Sequence, residues 1–574
     1  MRRKLPPLQW GRDYHRETFT SDLLAAIIVT IMLIPQSLAY AMLAGLPAEM
    51  GLYASILPLV AYALLGTSRT LSVGPVAVVS LMTATAVGQV AAPGSAEYLT
   101  AAIAMALLSG LMLLAMGFLR FGFLANFLSH PVVSGFITAS GFIIALSQLR
   151  HLLGIDAHGD ALPELLGSLL HNLGDWNPVT LCTGIAALLF LLWARTGMQP
   201  LLERLGLPAG AASILARAGP VVVILATTGA SFLGQFADRG VALVGEVPQG
   251  LPSLALPPFD PQLWSELAVA ALLISIIGFV ESVSVGKTLA AKRRQRIDPD
   301  QELVALGAAN VASAVSAGFP VTGGFSRSVV NFDAGAQTPA ASLLAAAGIA
   351  LAALFFTPIL FYLPKATLAA TIIVAVTSLI DLRIIRRAWD YSLSDFAAVA
   401  TTIVATLALG VELGVLAGII ASVILHLYKT SRPHIAVVGA GAGTEHFRNV
   451  QRHNVITHPN ILSLRVDESL YFANAGYLED YVYRFIADND QLEHVILQCT
   501  AVNEIDMSAL EALEAIDHRL REQGLTLNLS EVKGPVMDTL KKTDFLQHLS
   551  GRVFLTHHQA VKSLKKDEIE PYII

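Results

Sequence analysis

From residue 22 to residue 430 the chain is a succession of apolar stretches separated by short polar turns. About 20 mostly apolar helical residues are needed to cross the hydrocarbon of a bilayer. By that measure spans are predicted at 22–44, 51–66, 98–118, 122–149, 178–195, 213–235, 264–290, 301–317, 339–357, 361–380, 393–409 and 411–430. Two further segments are short or interrupted: 72–90, broken at Gly74-Pro75, and 325–333, which follows Gly318-Phe319-Pro320-Val321-Thr322-Gly323-Gly324. Counting both gives fourteen crossings. The basic start, Met1-Arg2-Arg3-Lys4, resembles a secretory leader, but the run after it is long, lacks a small-residue cleavage site and precedes many more spans. It reads as the first transmembrane helix.

The two broken segments fall third in the first seven crossings and third in the second seven. Each Gly/Pro cluster alone is compatible with a kinked ordinary helix. At matched positions in two halves they predict a seven-plus-seven inverted repeat with a binding site near the membrane midplane. Non-helical backbone survives at that depth only where it is buried in protein or lines a cavity.

After residue 430 the pattern changes. Residues 460–466, 494–499 and 525–529 are strand-like, whereas 475–486, 508–523 and the stretch from Val536 have helical spacing. Strands alternating with helices predict a small α/β domain. The predicted organisation is a cytoplasmic segment 1–21, a membrane domain 22–430, a linker 431–445 and the α/β domain 446–574.

Charge orients this plan. Only 14% of residues are charged, against about a quarter in soluble proteins, and the mean hydropathy is +0.62. With the N-terminus inside, the cytoplasmic turns hold Arg2, Arg3, Lys4, Arg12, Arg16, Arg69, Arg120, Arg195, Arg204, Arg217, Lys292, Arg293, Arg294, Arg296, Arg383, Arg386 and Arg387. The other side holds little beyond Arg150, Arg239 and Lys365. This positive-inside bias predicts a multi-pass protein of the inner (plasma) membrane with both termini cytoplasmic. The run Lys292-Arg293-Arg294-Gln295-Arg296 lies at the cytoplasmic end of a span, so topology and anionic membrane lipid explain it rather than nucleic acid. Cys182 and Cys499 are too few for a disulfide framework or a cysteine metal site. With no phosphate-binding glycine loop, zinc spacing or nucleophile triad in the sequence, no catalytic residue, cofactor or metal is predicted, and the chain does not read as an enzyme.

Candidate chemistry concentrates at the breaks. A helix N-terminus presents unpaired N–H groups and about half a positive charge, which favours anions. Half-helices starting at Val73-Gly74-Pro75-Val76 and at Phe325-Ser326-Arg327 would aim two such ends at one cavity, with hydroxyls from Ser326 and Ser328 and a full charge from Arg327. Ionisable groups inside spans are costly and usually functional, so Arg327 points to an anionic substrate. The competing account is structural: Arg327 pairs with a carboxylate to hold its helix. Glu281, inside span 264–290, is the second such group. Burial disfavours its charged form and a nearby arginine restores it. A carboxyl group held between those effects suits proton coupling; permanent pairing with Arg327 is the alternative. Gln36 and Tyr40, four apart after Pro35, share a helix face and are candidates to line the same cavity.

These residues resemble a known family, the sulfate permease (SulP) anion transporters. The resemblance rests on Ile34-Pro35-Gln36-Ser37-Leu38-Ala39-Tyr40-Ala41, continuing through Gly45-Leu46-Pro47 and Gly51-Leu52-Tyr53, on Ser72-Val73-Gly74-Pro75, and on Gly324-Phe325-Ser326-Arg327-Ser328. Glu281 stands where the proton-coupled sulfate members of that family carry a glutamate; sodium-coupled bicarbonate members tend to have aspartate. The resemblance implies core and gate domains, an elevator-like motion and a homodimer. It also implies an anion site lined by Gln36, Tyr40, Gly74, Val76, Phe325, Ser326 and Arg327, with Glu281 as proton-coupling group. Nucleobase transporters share the fold, but Ser326-Arg327-Ser328 suits an anion better than a neutral base.

The tail is similar to the STAS domain of anti-sigma factor antagonists. Asn503-Glu504-Ile505-Asp506-Met507-Ser508 resembles the entry to that domain's signature helix, and Ser508 matches the serine phosphorylated there. Ala509 replaces the usual glycine, which favours a structural N-cap role for Ser508 over a regulatory one. The expected function is proton-coupled uptake of sulfate, with bicarbonate and C4-dicarboxylates as alternative substrates. A passive channel or exchanger, and a sensor that no longer transports, are the competing classes. The expected partners are that anion, protons, membrane lipid, a second copy of the chain and a cytoplasmic protein bound by the tail.

Overall fold

The computed structural model describes every residue except 1–9, 12–13, 127–129, 160, 210–211, 213–214, 217, 247, 255–258, 488, 490, 567–571 and 574. The topology-setting Arg2, Arg3, Lys4, Arg12 and Arg217 therefore lie outside the described residues. The chain divides into two compact units, Met1–Ser422 and Val423–Ile574.

Among the described residues, seven helices are long and apolar enough to cross a membrane and five shorter ones are apolar. The first half consists of α1 (Arg16–Leu43), the pair α2 (Ala48–Tyr53) and α3 (Leu57–Leu65), strand β1 (Val73–Gly74) leading into α4 (Ala77–Val90), then α5 (Ala96–Phe118), α6 (His130–Ser147), α7 (Pro178–Trp193) and α8 (Gly219–Leu233). The second half repeats that order: α9 (Pro261–Lys292), α10 (Pro299–Val315), β2 (Thr322–Gly323) leading into α11 (Phe325–Asp333), then α12 (Ala340–Phe355), α13 (Lys365–Thr377), α14 (Leu393–Leu409) and α15 (Val411–Ser431). Each half supplies seven crossings, and the broken one is third in both. The first half-helix starts at Ala77 rather than Val73, because Val73 and Gly74 are spent in the strand. The predicted span 122–149 opens with a 3-10 turn over Phe121–Asn126, and 361–380 shortens to α13 after another over Thr357–Tyr362.

Small residues set one close crossing. Between α5 and α10, a Cβ on Gly110 would lie 2.8 Å from Val311, and one on Gly307 would lie 2.8 Å from Leu114. Glycine permits that approach, which replaces hydrophobic driving force inside a bilayer. Two fully buried carboxylates then act as staples. Glu302 accepts from the Tyr62 hydroxyl (2.7 Å), the Thr67 hydroxyl (2.6 Å) and the backbone N–H groups of Thr67 (2.8 Å) and Ser68 (3.1 Å). Asp22 accepts from the backbone N–H groups of Gln337 (2.6 Å) and Thr338 (3.1 Å) and from the Thr338 hydroxyl (2.5 Å). Full satisfaction is what makes such burial tolerable.

The second unit is an α/β domain around one sheet of order β10-β5-β3-β6-β7-β8-β9, with β4 also paired to β3. Its elements are β3 (Ile435–Gly441), β4 (Phe447–Asn449), β5 (Val455–Thr457), β6 (Ile461–Val466), α16 (Ala475–Ala487), β7 (His494–Gln498), α17 (Met507–Glu522), β8 (Thr526–Ser530), α18 (Gly534–Leu540), β9 (Val553–Phe554), α19 (His557–Leu564) and β10 (Tyr572–Ile573). Strands β6 to β9 run parallel. Alternation sorts their side chains: Val495 and Leu497 join the core under α16 and α17, whereas Ile496 faces Ala560 and Val561 of α19. The predicted linker 431–445 needs correction, since it contains β3, which pairs with β6 from Ile435 to Val466.

One histidine makes this domain acid-sensitive. His557 is fully buried, its Nδ1 lies 2.8 Å from the Ser530 hydroxyl, its Nε2 has no partner among the described residues, and its ring packs edge-on to Phe447. Burial lowers its pKa to about 4, with Glu531 pulling weakly the other way. The unfolded chain, titrating near 6.5, binds the proton first as pH falls, so stability is lost from about pH 6.5 downward. For the isolated domain we expect a loss of about 2 kcal/mol between pH 7 and pH 5 from this group. His458 and His494, also lowered by burial, add in the same direction. Urea unfolding at the two pH values, in the parent and in His557→Asn, checks this: an equally steep loss in the variant would assign the sensitivity elsewhere.

Candidate functional site

The breaks in the two repeats meet. Strands β1 and β2 pair antiparallel, Val73 opposite Gly323 and Gly74 opposite Thr322. The half-helices that follow, α4 and α11, therefore leave in opposite directions with their N-termini close together. Surrounding side chains satisfy the irregular backbone. Asn310 donates to the Val321 carbonyl (2.8 Å) and accepts from its N–H (2.9 Å). The Ser282 hydroxyl accepts from the Gly323 N–H (2.9 Å), and the Thr322 hydroxyl donates to the Gly278 carbonyl (2.7 Å). Ser328, expected to offer its hydroxyl to a ligand, instead donates to the Gly324 carbonyl (2.6 Å) and accepts from the Ser72 N–H (3.0 Å). It stands four residues into its helix and is fully buried, so it closes the break rather than facing the cavity.

Arg327 sits across both breaks. Its Nη2 donates to the carbonyls of Gly74 (2.7 Å) and Thr322 (3.1 Å), while Nε and Nη1 are buried without a partner among the described residues. The glycines make room for it: a Cβ on Gly324 would lie 2.6 Å from Nε, and one on Gly74 2.9 Å from Nη1. Arg327 forms no ion pair with Glu281 within 4.0 Å among the described residues, and Oε2 of Glu281 also lacks a hydrogen-bond partner. The structural account of Arg327 thus takes a different form: it grips two carbonyls, not a carboxylate.

Gln36, Tyr40, Val76, Glu281, Phe325, Ser326 and Arg327 line one cavity, together with Pro75, Ala77, Val78 and Gly324. Gly74 lies just behind it, as a carbonyl acceptor for Arg327. Ala375, Ser378 and Leu379, from the end of α13 and just beyond, complete the wall. Nothing in their apolar surroundings marked them in the sequence. The cavity offers a desolvated guanidinium with two nitrogens unpartnered among the described residues, two helix N-termini, several hydroxyls and one carboxyl group, which is chemistry for holding a small anion beside a group able to exchange a proton.

Two other expected roles change. Arg293 donates to the carbonyls of Ala336 and Phe332 (3.1 Å to the latter), and its guanidinium stacks 4.3 Å from the Phe332 ring, so this member of the basic run fastens the C-terminal end of α11. Ser508 is not the cap of α17. Asp506 is: its carboxylate accepts from the Ala509 N–H (2.8 Å) and from the Phe472 N–H (2.8 Å), leaving Ser508 exposed in the first turn. Both polar residues were available; tertiary contact with Phe472 favours the aspartate.

Fold and cavity together define a polytopic helical membrane protein of the seven-plus-seven inverted-repeat class, carrying a small α/β domain. Comparison with known proteins narrows this. Residues 19–402 match the sulfate permease family and residues 452–560 match the STAS domain. Curated relatives include the chloroplastic Sulfate transporter 4.1 of Arabidopsis thaliana, 35% identical over 97% of this chain and 82% of its own length. High affinity sulfate transporter 2 of Stylosanthes hamata is 30% identical over 97% of this chain and 85% of its own length. The chain belongs to the sulfate permease family. Among solved structures, murine Slc26a9, described as an anion transporter in the inward-facing state, superposes with a TM-score of 0.89 at 24% identity, covering 97% of this chain and 93% of that one. The transmembrane domain of the cyanobacterial bicarbonate transporter BicA gives 0.60 at 21% identity, over 71% and 98% of the two chains.

Proposed function

We propose that the protein is a secondary active transporter of a small inorganic oxyanion, sulfate foremost, driven by the proton gradient. The observation that carries this reading is the buried guanidinium of Arg327, with two nitrogens unpartnered among the described residues, at the meeting point of two helix N-termini. Gln36, Tyr40, Val76, Phe325 and Ser326 complete the anion site around it, with Gly74 as its backbone support, and Glu281 carries the proton. The names of the relatives support sulfate as the first substrate to try.

In this reading α1–α5 and α9–α12 form a core that carries the ligand, and α6–α8 with α13–α15 form the gate against which it slides in an elevator-like motion. The protein works as a homodimer in the plasma membrane with both termini in the cytoplasm, and the STAS domain regulates it through a cytoplasmic partner. The test is uptake of labelled sulfate, bicarbonate and C4-dicarboxylates into proteoliposomes, with and without an inward proton gradient. Sulfate accumulation that requires the gradient is expected. Preference for bicarbonate with sodium would move the chain to the alternative substrate, and flux without accumulation would make it a channel or exchanger.

A further inference from the structure

The cavity around Arg327 opens into another. Gln36, Ser326 and Ala375 line both it and a second, wider vestibule bounded by Met32, Leu191, Pro220, Val330, Thr371 and Val374. Among the described lining residues of the vestibule one carries a charge, Arg195. It follows α7 in a single π-helical turn, Ala194–Met198, and such turns are frequent at functional sites. Its Nη2 donates to the Val374 carbonyl of α13, and no carboxylate lies within ion-pair distance of it among the described residues. A cation facing the cavity without a countercharge from the protein attracts an anion from solution.

We propose that Arg195 is the cation of a second anion station, which holds the same class of ligand, a small oxyanion, in the vestibule before it reaches Arg327. This rests on the reading of the Arg327 cavity as an anion site and adds a step to it. Gln36 and Ser326, shared by both cavities, hand the ligand on: each presents donors to an anion arriving from either side. The station binds weakly, because Arg195 is exposed whereas Arg327 is buried, and a weak outer site fills and empties fast enough to feed an inner one.

Arg195→Gln separates this from a purely structural tie, because its amide remains a donor for the Val374 carbonyl but carries no charge. The experiment is calorimetric titration of sulfate into the full-length protein in detergent, for the parent, Arg195→Gln, Arg195→Lys and Arg327→Gln. The expected parent isotherm has a tighter and a weaker site. Arg195→Gln loses the weaker one, Arg195→Lys keeps both, and in proteoliposomes Arg195→Gln raises KM about tenfold with little change in maximal rate. Two sites surviving in Arg195→Gln, or a single site in the parent, would overturn the station while leaving Arg327 in place. A site lost in Arg195→Gln with none lost in Arg327→Gln would do the reverse. Should Arg195→Gln fail to fold, salt decides in the parent: the exposed weaker site fades with ionic strength, whereas an isotherm whose two sites weaken equally overturns the proposal.

Discussion

Replacing Arg327 with glutamine lowers sulfate affinity a hundredfold or more. Arg327 is 2% exposed, and two of its guanidinium nitrogens have no partner among the described residues. An anion that enters the cavity meets a full charge and unspent donors in a site with little water to screen them. Hydrogen bonds to charged groups contribute about 1.5–3 kcal/mol each, and losing two of them is worth at least two orders of magnitude in affinity. Glutamine is the better probe than alanine, because Nη2 also holds the carbonyls of Gly74 and Thr322. An amide keeps one of those bonds and so preserves the pairing of β1 with β2. Arg327→Ala removes both functions and is expected to lower the thermal midpoint as well as affinity. Calorimetry on monodisperse protein, alongside a thermal melt, checks the two effects separately. Parent-like affinity for sulfate, bicarbonate and dicarboxylates in folded Arg327→Gln would put the site elsewhere.

What the sequence revealed follows from what the membrane demands. Lipid requires each crossing to satisfy its own backbone, so long apolar runs had to be helices, and the two Gly/Pro-interrupted runs had to be buried. Arg327 and Glu281 stood out because an ionisable group at that depth is costly and is kept mainly for function. Less legible was whatever depends on a partner far along the chain. The β1–β2 pair is two residues long on each side, too short for alternation to register. The donors that make Glu302 tolerable come from residues more than 230 positions away. Ser378 and Leu379 enter the cavity wall only because α13 packs there. In the tail, β3 was hidden in a predicted linker because Ile435–Gly441 is half glycine and alanine, and its place in the sheet depends on β6. The cap of α17 turned on whether Asp506 or Ser508 met Phe472, which no local pattern encodes.

The second large effect is expected at Glu281. Its carboxyl group lines the same cavity as Arg327, without a direct ion pair and with one oxygen unpartnered among the described residues. In the proposed coupling, the guanidinium lies across the cavity from the carboxyl group. An anion bound at Arg327 spends that positive charge and adds negative charge beside the carboxylate, so the carboxylate takes up a proton more readily. The proton in turn removes the repulsion that the anion would otherwise meet. In the proposed function anion and proton therefore stabilise each other's binding, and by linkage each raises the other's affinity by the same factor. Glu281→Gln fixes the neutral form. The anion is then held at any pH, exchange of internal for external anion persists, and a proton gradient no longer has a group through which to act. In proteoliposomes with an inward proton gradient, the parent accumulates sulfate above its external concentration, whereas Glu281→Gln stops at equilibrium. The same variant should show sulfate affinity that no longer weakens as pH rises. Accumulation by Glu281→Gln equal to that of the parent would remove Glu281 from the coupling path, and a parent that ignores protons but requires sodium would point to a different coupling ion.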